Sequence, residues 1–283
     1  ATEEIARVDG SHAATVAAGN SLGIGPLYYY GNEAQKRKYL PKLCTGEALW
    51  GFGLTEPNAG SDAGNSKTTA VLEADQWVIN GSKIFITNAS TIITSGVTAL
   101  CRTGTRGDGR PELSCIIVEQ DTPGYEAREM HGKMMWRASN TSELYYDDCR
   151  VPRENLLGDR GKGFHQMLET LDGGRLSIGA MGLGGAQGCF ELALKYSNER
   201  MQFGKPISKF QVNAFKLADM ALGTVALAGA FVTGGGASEA IADLARAATG
   251  IQCSPAALES PAVYQAAFVL TDLIGRAAPL QAV

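Results

Sequence analysis

A chain of 283 residues, 45% hydrophobic and 19% charged, can bury a sizeable core and exceeds the size at which one core usually serves, so two or three subdomains are expected. Its formal net charge of -4 supplies no basic field of the kind that draws nucleic acid or an anionic membrane, and neither is an expected partner. The six cysteines, Cys44, Cys101, Cys115, Cys149, Cys189 and Cys253, stand singly, and the three histidines are far apart; free thiols are expected and no metal site.

No run reaches the roughly 18 apolar residues of a spanning helix, because Glu239, Asp243 and Arg246 interrupt even the apolar tail. A soluble protein is expected. The chain opens on Ala1 in polar helical sequence, without a signal or transit pattern, and is read as starting mid-domain.

Residues 3–44 read as helical, with Asp9 or Ser11 as caps, a break at Gly31-Asn32, and Pro26 and Pro41 as punctuation. Short β-rich runs follow from about 50 to 152. Asn80-Gly81, between Trp77-Val78-Ile79 and residues 83–87, predicts a tight hairpin turn. Further strands are expected at 97–102, 113–119 and 143–149, with turns at 104–111 and 121–124. Helical periods return after Gly163, with Phe190, Leu194 and Tyr196 in one helix and Phe210, Ala214, Leu217 and Ala221 on one face of the next. The expected fold class is α+β: a partial N-terminal helical domain (1–48), a small middle β domain (49–155) and an incomplete C-terminal helical bundle (156–283), in which 222–283 departs in composition toward Ala, Gly, Leu and Val.

The stretch at 52–62, Phe-Gly-Leu-Thr-Glu-Pro-Asn-Ala-Gly-Ser-Asp, carries the chemistry. An apolar run ends abruptly in small and polar residues, as at a strand end opening into a binding loop. Gly60 lets backbone approach a ligand, Ser61 offers a hydroxyl and an amide, and successive loop amides suit a pyrophosphate. An ordinary surface loop has a similar composition. The glycines at 182–188 have the density of a dinucleotide fingerprint but the wrong spacing and no preceding strand, so close helix packing is expected there.

The 52–62 stretch resembles the signature loop of the acyl-CoA dehydrogenase family, and four later segments are similar to family segments in the same order. The resemblance implies an FAD site lined by Phe52, Leu54, Thr55, Gly60 and Ser61, with Thr55 near the flavin ring, Ser61 at the pyrophosphate or the substrate, and Glu56 mainly structural. The segment 83–88 implies that Phe85, Ile86 and Thr87 touch the cofactor; read alone, they are ordinary strand residues. Residues 145–158 look like the exit from the β domain. Leu171-Asp172-Gly173-Gly174-Arg175 implies acyl-CoA contacts from Asp172 and Arg175, which otherwise read as a solvated charge pair. Residues 198–211 imply that Arg200, Phe203 and Gln211 reach the FAD of a neighbouring subunit in a homotetramer or homodimer, a guanidinium being suited to a diphosphate.

By this resemblance the activity is desaturation of a short- or medium-chain acyl-CoA to the trans-2-enoyl-CoA, with electrons passed to an electron-transfer flavoprotein, in the cytoplasm or a mitochondrial matrix. The family's base is a glutamate in a late Tyr-Glu-Gly-Thr-like segment or directly before the Arg175 position, which here is Gly174. Neither is recognisable. The resemblance runs from about 8 to 221, so a truncated or frame-disrupted fragment is expected. Glu239 and Glu259 are the only glutamates of the tail left to act as base, and a non-catalytic FAD- or acyl-CoA-binding relative or an inactive fragment is the alternative.

Overall fold

The computed structural model describes residues 1–232. The chain divides into two compact units, Ala14–Ser177 and, as the other, Ala1–Ala13 with the chain from Ile178 onward.

Helices α1 (Thr2–Val8) and α2 (Gly10–Ala17) come first. Between them the Asp9 carboxylate accepts the Ser11 and His12 amides at 2.6 and 3.0 Å, which satisfies two N–H groups that the first turn of α2 leaves without partners. Asp9 is therefore the cap. A π-helical stretch, Ala18–Gly23, leads into α3 (Ile24–Tyr30), and α4 (Glu33–Thr45) opens on a capping box in which Asn32 and Gln35 bond each other's backbone amides. The prolines do not break these helices as expected. Pro26 lies in the first turn of α3, and Pro41 inside α4 is exposed, so the Arg37 carbonyl that loses its partner is left on a solvated face.

The strands are β1 (Leu49–Gly53), β2 (Thr69–Glu73), β3 (Gln76–Thr87), β4 (Thr94–Thr105), β5 (Pro111–Glu119), β6 (Tyr125–Glu129), β7 (Thr141–Pro152) and β8 (Leu156–Leu157). They form one sheet in the order β6-β7-β3-β2-β4-β5-β8, with β1 parallel to β4. One core gathers Trp77, Ile79, Ile86, Val97, Ile116 and Leu144. A second joins α3 and α4 to the sheet through Leu27, Tyr39, Leu43, Trp50, Leu100 and Ile117, and the Trp50 indole N–H is satisfied by Thr98 Oγ1 at 3.0 Å.

The hairpin predicted at Asn80-Gly81 does not form. β3 runs straight through it, and the chain reverses instead at Ala74-Asp75, between β2 and β3. Opposite Asn80, β7 carries one extra residue: pairing passes from Ile79↔Cys149 to Gly81↔Tyr146, with Asp148 at φ 45. The Asn80 side chain holds this bulge, donating to Asp148 Oδ1 at 3.1 Å and accepting the Asp148 amide at 2.9 Å. Gly81, at φ 143, lies where a Cβ would come within 2.7 Å of Thr68 Cα. The glycine answers to a close approach of two segments rather than to a turn.

In the other unit, α1 packs on the small-residue face of α5 (Gly163–Glu199). A Cβ on Gly184 would collide with the Glu3 carbonyl oxygen, and one on Gly188 with that of Arg7. Four residues apart, the two glycines share a helix face, and Arg7 reaches Glu191 at 2.8 Å. This is helix packing, not a dinucleotide turn. A short hairpin of β9 (Met201–Gln202) and β10 (Lys205–Pro206) then precedes α6 (Gln211–Val232).

Gly185 faces open space, which separates propensity from packing. Gly185→Ala should raise the unfolding free energy by about 0.5–1 kcal/mol, whereas Gly184→Ala should displace α1 and speed amide exchange in residues 2–8. Unchanged exchange in Gly184→Ala would contradict the close approach.

Candidate functional site

β1 ends at Gly53, and the chain continues through Leu54 and Thr55 to Glu56, whose backbone closes a small loop onto Ala59 with paired bonds of 3.1 Å. β3 comes alongside: the Ile84 amide donates to the Thr55 carbonyl at 2.9 Å. Immediately beyond, β3 bulges. Its pairing with β7 jumps from Lys83↔Leu144 to Ile86↔Ser142, leaving one residue unpaired, and Phe85 takes φ 63. A left-handed aromatic residue is strained by contact of its Cβ with the following carbonyl. The bulge turns Phe85 outward, 61% exposed, while Ile86 stays in the core at 2%.

A cavity of about 160 Å³ lies here, within the unit Ala14–Ser177. Phe52, Leu54 and Thr55 form one wall and Phe85, Ile86 and Thr87 another. Ala18 and Leu22 of the π-helical stretch, Trp50, and Leu171 of α5 complete it.

Behind the walls is a buried ion pair. The side chains of Lys83 and Glu56 are 0% and 3% exposed, with Nζ and Oε1 2.8 Å apart. Glu56 also accepts from Ser66 Oγ at 2.5 Å and from the Lys67 and Thr68 amides at 2.6 and 3.0 Å. Burial alone pushes the Glu56 carboxyl up, but the Lys83 ammonium, the Ser66 hydroxyl and the Lys67 amide outweigh it and bring it down to about 2. Glu56 is thus a fixed, ionised structural group, the role the resemblance implies for it.

The structure brings together six of the residues singled out in the sequence: Phe52, Leu54, Thr55, Phe85, Ile86 and Thr87. Gly60 and Ser61 are exposed on the loop past Ala59 and do not line the cavity. Leu171 does line it, whereas Asp172 and Arg175 are exposed and paired with each other at 3.0 Å. Gly174 is buried near Leu22, whose Cδ2 would lie 3.1 Å from a Cβ there. Arg200, Phe203 and Gln211 belong to the other unit and are all exposed, with Phe203 at φ 51 between β9 and β10. Glu239 and Glu259 lie outside the described residues. Ala18, Leu22 and Trp50 are additions that sequence reading missed, since nothing in their local sequence couples them to the loop. A detectable signal was Lys83, a lysine inside an apolar strand run, which calls for a buried partner.

A second cavity, of about 260 Å³, borders Gly19, Asn20, Cys44 and Leu49 and shares Trp50; none of the sequence-selected site residues lines it. Among the described residues no three of His, Cys, Asp or Glu are grouped to hold a metal, and no helix is long and apolar enough to cross a membrane. Cys101, Cys115 and Cys149 are unpaired, and burial raises their thiol pKa values, to about 12 for Cys101 and Cys149.

Domain models of the acyl-CoA dehydrogenases match the chain in order: the N-terminal domain over residues 1–47, the middle domain over 51–149 and the C-terminal domain over 161–232. The probable acyl-CoA dehydrogenase YngJ of Bacillus subtilis (strain 168) is 52% identical over 222 residues, 78% of this chain and 58% of that protein. Butyryl-CoA dehydrogenase from Megasphaera elsdenii matches with a TM-score of 0.74 at 40% identity, over 88% of this chain and 61% of that one. An acyl-CoA dehydrogenase complexed with FAD from Bacillus anthracis matches with a TM-score of 0.76 at 34% identity, over 95% of this chain and 45% of that one. The fold is the α+β arrangement of these structures, a sheet domain between helical segments of the chain. The chain belongs to the acyl-CoA dehydrogenase family. It spans a little over half the length of the curated relatives it matches.

Two outcomes follow from the site's electrostatics and strain. Because the folded Glu56 carboxyl sits near 2, below its ordinary 4.5, its stabilisation is complete above 4.5 and is lost as pH falls toward 2. Urea unfolding followed down this range should show a steeper loss in the wild type than in Glu56→Gln; parallel curves would contradict the assignment. Phe85→Gly should relieve the left-handed strain and raise the unfolding free energy by up to about 1 kcal/mol. A clear loss of stability would mean that the bulge is not strained.

Proposed function

We propose that this chain carries the flavin and acyl-CoA sites of an FAD-dependent acyl-CoA dehydrogenase that desaturates a short- or medium-chain acyl-CoA to the trans-2-enoyl-CoA. The observation that carries this reading is that Leu54 and Thr55, from the loop after β1, and Phe85, Ile86 and Thr87, from the β3 bulge, meet in one cavity. The likeness to the Megasphaera elsdenii butyryl-CoA dehydrogenase supports a short acyl group.

The residues present fit FAD. Phe85 offers an exposed flat ring, the Thr55 and Thr87 side chains supply hydroxyls beside it, and nothing would crowd a Cβ at Gly60, so its backbone is approachable. When bound, FAD supplies the acceptor for the hydride that leaves the acyl chain. The protein's part is to hold and orient. Thr55 and Thr87 would hold FAD through their hydroxyls and Phe85 through its ring, while Ala18, Leu22 and Leu171 would provide apolar surface that keeps water from the acyl chain. Asp172, next to Leu171, and Arg175, one turn of helix on, engage the polar part of the CoA, with Ser61 at the pyrophosphate or the substrate. Arg200, Phe203 and Gln211 serve the FAD of a neighbouring subunit in a homotetramer or homodimer. Electrons leave to an electron-transfer flavoprotein, in the cytoplasm or a mitochondrial matrix.

Removing the proton beside the thioester requires a base. Among the described residues no carboxylate lines the cavity, and Glu56 is held in its ion pair. This observation favours a second reading, a non-catalytic FAD- or acyl-CoA-binding relative.

Absorbance of the purified protein with FAD, before and after anaerobic addition of butyryl-CoA, separates the two. The dehydrogenase reading expects a yellow protein that bleaches. Yellow without bleaching would favour the binding relative, and a protein that takes up no FAD would refute the dehydrogenase reading and the FAD-binding form of the second. Phe85→Ala should weaken FAD binding by up to about tenfold, the worth of one good aromatic contact, read by flavin fluorescence titration.

A further inference from the structure

We propose that Lys83 is a positioning residue of this pocket: with Glu56, it sets the spacing between the two cavity walls and thereby the affinity and environment of the bound flavin. The inference rests on the reading that the pocket takes FAD.

The argument is one of bond placement. The Lys83 ammonium has three protons and three acceptors: the Leu54 carbonyl at 3.3 Å, Glu56 Oε1 at 2.8 Å and Ser66 Oγ at 3.1 Å. The next residue, Ile84, donates its amide to the Thr55 carbonyl at 2.9 Å. Three consecutive residues, Leu54 and Thr55 of one wall and Glu56 behind it, are therefore each tied to one of two consecutive residues of β3, directly before the bulge that turns Phe85 outward. Thr55 cannot shift against Phe85 without breaking its backbone bond to Ile84 and straining the bonds that the buried Lys83 side chain makes to Leu54 and Glu56 on either side of it.

Stability alone does not explain the pair. Desolvating two charges offsets much of their attraction, and a well-packed apolar pair of similar volume is often as stable. Apolar side chains would lack the directional bonds to the Leu54 carbonyl and to Ser66, which fix distance as well as contact. The residues beyond the clasp that face the cavity, Phe85, Ile86 and Thr87, inherit their position from it.

Lys83→Met alone strands a buried carboxylate, so the informative protein is the double variant Glu56→Gln/Lys83→Met, in which both charges are removed at similar volume. Thermal unfolding reports the fold, flavin fluorescence titration reports FAD affinity, and visible circular dichroism of the bound flavin reports its environment. A folded double variant should bind FAD at least about tenfold more weakly and with an altered dichroism band. Phe85→Ala added to it should cost much less than in the wild type, because the ring is already misplaced. Unchanged affinity and dichroism in a folded double variant would overturn the positioning role while leaving the FAD reading intact. Should the double variant not fold, Glu56→Gln, which keeps shape and an acceptor oxygen, is read the same way: a shifted dichroism band supports the role, and an unshifted band with unchanged affinity refutes it. A wild-type protein without FAD affinity would remove the underlying reading and this inference together.

Discussion

Glu56 is a carboxylate with almost no access to water, and such a group is tolerated only when its charge is matched and its lone pairs are filled. Lys83, Ser66 and the Lys67 and Thr68 amides do both. Those partners come from β3 and from the segment entering β2, so one side chain draws two stretches of chain to the loop after β1. The cavity walls, the exit of the loop at Thr55 and the course of β3 past it all depend on that convergence.

Two β-bulges then convert a regular sheet into a site. The extra residue of β7 at Asp147-Asp148 is held by Asn80 and allows β3 to pass close to Thr68 at Gly81. The extra residue of β3 reverses the facing of the strand just beyond Lys83, so that Phe85 leaves the core surface and Ile86 enters it. A strand that kept its period of two would bury alternate residues and could not present Phe85, Ile86 and Thr87 to one cavity. The strain at Phe85 is stored where a ligand would meet the protein, which is where such conformations tend to persist.

The glycines of this chain answer to different constraints. Gly184 and Gly188 exist for the backbone of α1, and Gly81 for the approach of Thr68. Gly174 is buried against Leu22 near the cavity, and its lack of a side chain leaves that helix face without a group to take a proton.

Two walls of the cavity were legible because their residues are contiguous: Phe52 to Thr55 and Phe85 to Thr87 carry their signal locally, whereas Gly60, Ser61, Asp172 and Arg175 do not line it. The alternation from helical to β-rich and back to helical sequence likewise foretold the order of the elements, since side-chain period is a local property of the chain. The hairpin expected at Asn80-Gly81 did not form, and the punctuation expected at Pro26 and Pro41 did not break the helices. Each outcome turns on where the residue falls: a bulge in β7 takes up Asn80, Pro26 lies in the first turn of α3, and Pro41 leaves the Arg37 carbonyl on a solvated face. The contributions of Ala18, Leu22 and Trp50 to the cavity, the pairing of Glu56 with Lys83 and the left-handed bulge at Phe85 belong to the tertiary structure alone, because each depends on which distant segment packing brings within a few ångströms.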